Sequence, residues 1–456
     1  MGKSKLLRIG IMLIVIVVLI AGCSKDNRQE SEPGNGQGEQ TSDNRPEAPD
    51  VNAGTADGGQ DDGAAEGGND QPEAEPDDEL SPEDEAAAAA QEELQRQLAA
   101  MTLEEKIGQL LIAGVDGTQA DEGARRMVQE QHVGSVIFYK DNLKSVAGMT
   151  NYVNQLKAWN AGNPAPLMLS VDQEGGKVSR LPELAKLPNA RQIGNTGKTE
   201  LAEDIGTLLA EACAAMGINV NYAPVLDINS NPDNPVIGTR SFGTTAQRVS
   251  EMGLATMKGI EEHGVVPVIK HFPGHGDTGV DSHLELPVVQ KELSELQAFE
   301  WKPFEAAIEQ GAEAVMVAHI LFPKIDPEYP ASLSKTIMTD QLRETLHFDG
   351  VIMTDDLTMG AIADHYGMGE AAVQSMKAGT DMLFIAHGYD NIDTVIKALK
   401  GAVASGELTE TRLDESVLRV LALKRRHQFS DAPTAKADIS AINADIAEVL
   451  KEFGLK

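Results

Sequence analysis

The sequence predicts an α/β protein built as a closed (β/α)8 barrel of the TIM type behind a disordered acidic N-terminal linker, and three observations lead there. Eight short apolar runs recur at intervals of roughly 25 to 50 residues, and stretches of helical periodicity lie between them. Five of the eight runs end in polar chemistry: Asp172, Asp227, Lys270 with His271, His319, and Asp355. An open doubly wound sheet would satisfy the first two observations. Barrel enzymes, however, draw functional groups from several strands to one carboxyl-terminal rim, so the third favours the barrel.

Taken in order, residues 1–23 combine Lys3, Lys5 and Arg8 with an apolar run over 9–20 that only Gly10 interrupts, then Ala21, Gly22 and Cys23. The run falls short of the ~20 apolar residues of a membrane span, and small residues before a cleavage point mark an export signal. Because a cysteine follows the cut, the segment resembles a bacterial lipoprotein signal. That resemblance implies acylation of Cys23 and an extracytoplasmic protein held to the membrane by lipid; an uncleaved anchor is the alternative. Residues 24–80 hold almost nothing to bury, so they are expected to stay disordered and to act as a leash spanning ~40 Å as a random coil.

Between Ser24 and Glu93, 3 Lys or Arg stand against 22 Asp or Glu, a balance of −19 within the chain's −33. The acidity therefore belongs mainly to the tether, and it speaks against nucleic acid as a partner. With Cys23 assigned to lipid, Cys213 has no partner for a disulfide, so the globule must be stabilised by a large core.

The catalytic domain is expected over 81–430. Ser81 before Pro82 and acidic residues marks a helix start, and Thr102 with Glu105 three positions on marks a second of capping-box type. The expected strands are 110–113, 133–138, 167–171, 220–225, 266–269, 314–318, 351–353 and 382–385, with helical patterns such as 293–310 and 370–378 between them. Residues 431–456 form a tail with room for one helix and too short for a second domain.

The stretch KHFPGHGDTGVDSH from Lys270 to His283 crowds imidazoles, a lysine and carboxylates beside three glycines, which suits an active-site loop better than a core. Asp281 and His283 flank Ser282, a spacing that lets the carboxylate orient the imidazole for general acid/base work. VIMTDDLTMG supplies a strand-end carboxylate. Neighbouring residues leaving a strand point to opposite sides, so Asp355 is assigned to the barrel mouth and Asp356 to capping the following helix. Nucleophile plus acid/base is the logic of a retaining glycosidase. Asp172 can accept paired hydroxyl hydrogen bonds, while Arg180, Arg240, Lys270 and His271 can donate to sugar oxygens.

Five segments, DQEGGKVSRL from Asp172, NYAPVLDIN from Asn221, RSFG from Arg240, KHFPGHGDTGVDSH and MTDDLTM from Met353, together resemble the β-N-acetylglucosaminidases of glycoside hydrolase family 3, over about residues 101–426. The resemblance implies a cofactor-free exo-enzyme, expected as a monomer, that releases terminal β-linked N-acetylglucosamine from peptidoglycan fragments. It also implies Asp355 as nucleophile, Asp281 with His283 as the acid/base pair on a mobile loop, and Asp172, Arg180, Arg240, Lys270 and His271 as the residues that bind the sugar. Lys177 departs from the family's GGRV pattern and is expected to affect packing or solvent contacts rather than catalysis.

Other readings of these residues remain open in the sequence. His275 and Asp277 are read first as loop scaffolding, and His319 either lines the pocket or is a satisfied core histidine. His271, His275, Asp277, Asp281 and His283 have side chains suited to zinc, although three glycines argue against a fixed ligand geometry. A sugar-binding lipoprotein without turnover would not need Asp355, Asp281 and His283. Phosphate instead of water could resolve the intermediate, because a neutral imidazole repels it less than a carboxylate would.

Overall fold

The computed structural model describes residues 81–455; the expected export signal 1–23, with Cys23, and the expected linker 24–80 lie outside the described residues. Nine parallel strand segments form the centre: β1 Leu111–Gly114, β2 Ser135–Phe138, β3 Met168–Val171, β4 Val220–Asn221, β5 Val266–Pro267, β6 Ile269–Phe272, β7 Ala314–Val317, β8 Val351–Asp356 and β9 Met382–Ile385. Their order is β5-β4-β3-β2-β1-β9-β8-β7-β6. β5 and β6 are consecutive pieces of one run over 266–272, so that run joins the two ends of the order and the sheet curls into the expected (β/α)8 barrel.

The split of that run is a correction to the single expected strand at 266–269. Its first half pairs with β4 and its second half with β7. Val268 N–H still donates to Asn221 O, and Lys270 N–H donates to Pro224 O. The expected strand 220–225 is also shorter than its apolar run, since only Val220–Asn221 pairs regularly and Val225 returns in a single bridge to Lys270. Pro224 and Pro267 lack a donor at this seam, which is where a proline can interrupt a ladder.

Buried on both faces, the strands read as continuous apolar runs, and β2, β3, β6, β7 and β9 are buried throughout. The capping box at Thr102 is present: Thr102 Oγ1 accepts from Glu105 N–H while Glu105 accepts from Thr102 N–H. The helical pattern over 293–310 is two helices, Leu293–Ala298 and Lys302–Glu309, because the chain turns at Phe299 to bury Trp301 against Phe272. Helices Thr199–Ala215 and Ala246–Glu261 approach through glycine: a Cβ at Gly206 would lie 2.3 Å from Thr256 O. In the tail, helix Ser440–Glu452 buries Ile442 and Ile446.

Two ionic features close the barrel's amino-terminal base. Asp381, fully buried before β9, receives Arg343 at 2.7 Å, Arg419 at 3.1 Å, Ser416 Oγ at 2.7 Å and Ile352 N–H at 3.0 Å. Arg343 comes from Thr336–Thr345, a π-helix with no marker in the sequence pattern. Lys424, on helix Glu410–Arg426, buries its ammonium and donates to Gln109 Oε1 at 2.7 Å and Gly134 O at 3.0 Å.

Candidate active site

Four side chains, Lys270 from β6, Asp172 and Glu174 from the segment after β3 and Arg240 from the segment after β4, form a compensated floor at the carboxyl-terminal rim. Lys270 Nζ lies 2.5 Å from Asp172 Oδ1 and 2.8 Å from Glu174 Oε1, and Arg240 grips Glu174 with two bonds of 2.9 and 2.7 Å. Burial alone would raise the Glu174 carboxyl, but Arg240 and Lys270 beside it hold it far below the usual carboxylate range. The same balance keeps Lys270 charged: burial pulls it down, and Asp172 and Glu174 outweigh that. Much of the donor capacity expected of Arg240 and Lys270 toward sugar is thus already used within the protein. Their remaining N–H groups, with Arg180, face the cavity.

His271 is oriented from behind by Asp227, whose Oδ2 lies 2.6 Å from Nδ1. Asp227 Oδ1 also accepts the His275 N–H at 2.6 Å. Although burial pushes the Asp227 carboxyl up, His271 and the His275 amide hold it down, so it accepts and His271 carries its proton on Nδ1. His271 Nε2 is left facing Arg240 at 3.4 Å.

Asp355 and Asp356 separate as expected, with one detail corrected. Asp355 stands half-buried in the cavity. Asp356 also borders the cavity, but its carboxylate accepts from Thr358 N–H at 2.9 Å, Thr358 Oγ1 at 2.6 Å and Ala386 N–H at 3.0 Å, so it fixes the turn and the neighbouring strand end, not a helix N-terminus. Burial acts to raise Asp355, yet His319, His271 and His283 keep its carboxyl below the ordinary value. Asp356 is raised, chiefly by burial. The environment therefore favours the ionised form of the carboxylate assigned to attack more than that of its neighbour. His319 is a satisfied core histidine beneath this pair, with Nδ1 2.6 Å from Ser332 Oγ and Nε2 2.9 Å from Asp356 O.

On the loop after β6, His283 Nδ1 lies 2.7 Å from Asp281 Oδ1, which also accepts the His283 amide at 2.9 Å. Burial would raise Asp281, but these bonds to His283 lower it, so the carboxylate accepts a hydrogen bond from Nδ1–H and Nε2 is free to exchange a proton. The His283 side chain is 62% exposed and Asp281 34%, whereas Ser282 between them is buried. His275 is buried and bonded within the loop, and Asp277 accepts from Ser230 Oγ at 3.2 Å and pairs with Lys291 at 3.0 Å, which is scaffolding in both cases.

A cavity of about 300 Å³, the scale of one sugar ring with its substituents, is lined by Asp172, Arg180, Arg240, Lys270 and His271 together with Asp355, Asp281 and His283. Every pocket residue named from the sequence thus meets in one place. Lys177 lines it too and donates to Val236 O at 3.2 Å, a packing contact at the cavity's edge. Among the described residues, no group of three or more His, Cys, Asp or Glu side chains is placed to hold a metal ion. Sequence reasoning passed over Glu174, the hub of the floor, and Tyr139, which meets His387 on the cavity wall at 5.3 Å between ring centroids. Glu174 stood two residues after Asp172 inside a quoted motif; Tyr139 and His387 carried no signal.

The model of the Glycosyl hydrolase family 3 N terminal domain matches residues 102–423. Beta-hexosaminidase LpqI of Mycobacterium tuberculosis is 35% identical over 328 residues, covering 70% of this chain and 82% of that protein. Beta-hexosaminidase A of Pseudoalteromonas piscicida is 31% identical over 354 residues, or 72% of this chain, and the match spans only 59% of that longer relative. Among solved structures, a glycoside hydrolase family 3 beta-N-acetylglucosaminidase from Paenibacillus sp. str. FPU-7 superposes with a TM-score of 0.74 at 41% identity, over 77% of this chain and 69% of that one. Strands, rim chemistry and relatives agree: the chain belongs to glycosyl hydrolase family 3, with its barrel matching that family's N-terminal domain.

Proposed function

We propose that the protein is a β-hexosaminidase acting as a retaining exo-β-N-acetylglucosaminidase, which removes terminal β-linked N-acetylglucosamine from peptidoglycan fragments. One observation carries this reading: Asp355 and the Asp281–His283 pair open onto the same sugar-sized cavity, above a floor of fixed hydrogen-bonding groups. The names of the relatives described above support the hexosaminidase class.

In the first step Asp355 attacks C1 while the His283 imidazolium gives its Nε2 proton to the departing glycosidic oxygen, leaving a glycosyl ester. In the second, neutral His283 takes a proton from water as the water attacks C1 and frees Asp355, so configuration is retained. Asp281 keeps the imidazole in one tautomer and stabilises its charged form. A 2-deoxy-2-fluoro glycosyl fluoride should leave its label on Asp355, and chromogenic β-N-acetylglucosaminides should be cleaved in preference to β-glucosides and β-xylosides. A label on Asp356, or a preference for glucose, would overturn the assignment. Running the reaction with and without phosphate separates hydrolysis from phosphorolysis.

The same reading places the enzyme outside the cytoplasm as a monomer, tethered through lipid on Cys23. The Cys23→Ala protein should then leave the membrane fraction, and its retention there would refute the tether.

A further inference from the structure

Half-buried Asp281 and exposed His283 flank a serine that is 1% exposed, and the partner of that serine is a histidine equally buried. Ser282 Oγ lies 3.0 Å from His275 Nε2, and His275 Nδ1 lies 2.9 Å from Thr278 Oγ1. Thr278 Oγ1 is also within reach of His275 O, at 3.1 Å. The arrangement in which it gives its one hydrogen to that carbonyl has Nδ1 donating to Thr278, Nε2 accepting and Ser282 as the donor. His275 is itself held at both backbone groups: its N–H donates to Asp227 at 2.6 Å and its carbonyl accepts from Asn234 Nδ2 at 2.9 Å. On the other side, Ser282 O accepts from Ala361 N–H at 3.2 Å and His283 O from Gly360 N–H at 3.3 Å, both just past the strand that carries Asp355.

We propose that Ser282 and His275 are positioning residues, and that the hydrogen bond from Ser282 Oγ to His275 Nε2 fixes the Asp281–His283 pair over Asp355 in the orientation that protonates the leaving group. The proposal rests on the glycosidase reading above. Asp227 anchors His271 on the floor and His275 in the loop, so one carboxylate sets both the sugar-binding group and, through two further residues, the acid/base pair. Burial, with His271 next in effect, lowers His275 to about 4, which keeps the imidazole neutral at neutral pH, with one ring nitrogen left to accept. A hydroxyl that merely filled space would not need a buried imidazole partner at 3.0 Å.

The test compares Ser282→Ala, His275→Leu, the double variant and Ser282→Thr in the full-length protein. Substrates are aryl β-N-acetylglucosaminides whose leaving groups range from dinitrophenol to an alkyl phenol, with thermal midpoints measured alongside. Ser282→Ala should lower kcat about tenfold on the poor leaving group and less than about twofold on dinitrophenol, while the double variant should be no slower than the worse single one, because coupled residues are not additive. Ser282→Thr, which keeps the donor, should recover most of the loss. Equal losses on both leaving groups, or a double variant at the product of the two singles, would overturn the latch. Side-chain nitrogen NMR of wild-type protein adds a readout independent of turnover: His275 should be the Nδ1–H tautomer, and an Nε2–H tautomer would refute the proposal. A wild-type enzyme that cleaved none of these glycosides would count against the functional reading, and the tautomer would then judge the latch alone.

Discussion

Asp355 and Asp356 share a residue type and a strand end, yet their surroundings separate their roles. One carboxyl sits among imidazoles that favour its ionised form; the other is raised by burial and spent on Thr358 and Ala386. Strand alternation makes that division readable in the sequence. The acid role of His283 makes a separate claim. His283→Ala should slow cleavage of a sugar aglycone by roughly 10²-fold or more while leaving dinitrophenyl glycosides within about tenfold, since a good leaving group needs little protonation. Steady-state kinetics on the two substrate types checks this, and matched losses would remove His283 from the acid role. Glu174 was not readable as a site residue, because its importance lies in the convergence of Lys270 and Arg240, which come from distant parts of the chain.

Elements were legible wherever burial on both faces made a strand continuously apolar, as in β2, β3 and β7. They were not legible where a run changes partner, as over 266–272, nor where the backbone departs from regular geometry, as in the π-helix Thr336–Thr345. Periodicity records which face is buried and says nothing of which neighbour buries it. The Asp381 cluster ties that π-helix, β8 and helix Glu410–Arg426 to the start of β9. Asp381→Ala would leave half-buried guanidinium groups without their fully buried counter-charge, so it should cost about 3 kcal/mol. Urea unfolding would measure it, and a loss below about 1 kcal/mol would mean that solvent already screens the cluster.

For the molecule as a whole, Lys424 links stability to pH. Burial pulls its ammonium from the usual 10.5 down to about 7. Between those values the unfolded chain binds a proton that the native state does not, so this residue's contribution to stability rises with pH from about 7 to about 10.5 and is flat below that window. The slope of unfolding free energy against pH in that window should therefore be shallower in Lys424→Met than in wild type, whatever constant offset the lost bonds to Gln109 and Gly134 introduce. Parallel curves for the two proteins would show that Lys424 is protonated in the native state.

The matched charges around Glu174 also bear on inhibitor choice. With Lys270 and Arg240 already answered by Asp172 and Glu174, the bottom of the cleft offers oriented donors and little surplus positive field, while Asp355 remains an anion beside it. Ring-nitrogen sugar mimics that carry an ammonium can thus approach Asp355 without strong repulsion from below, an opening that a bare lysine–arginine floor would have closed.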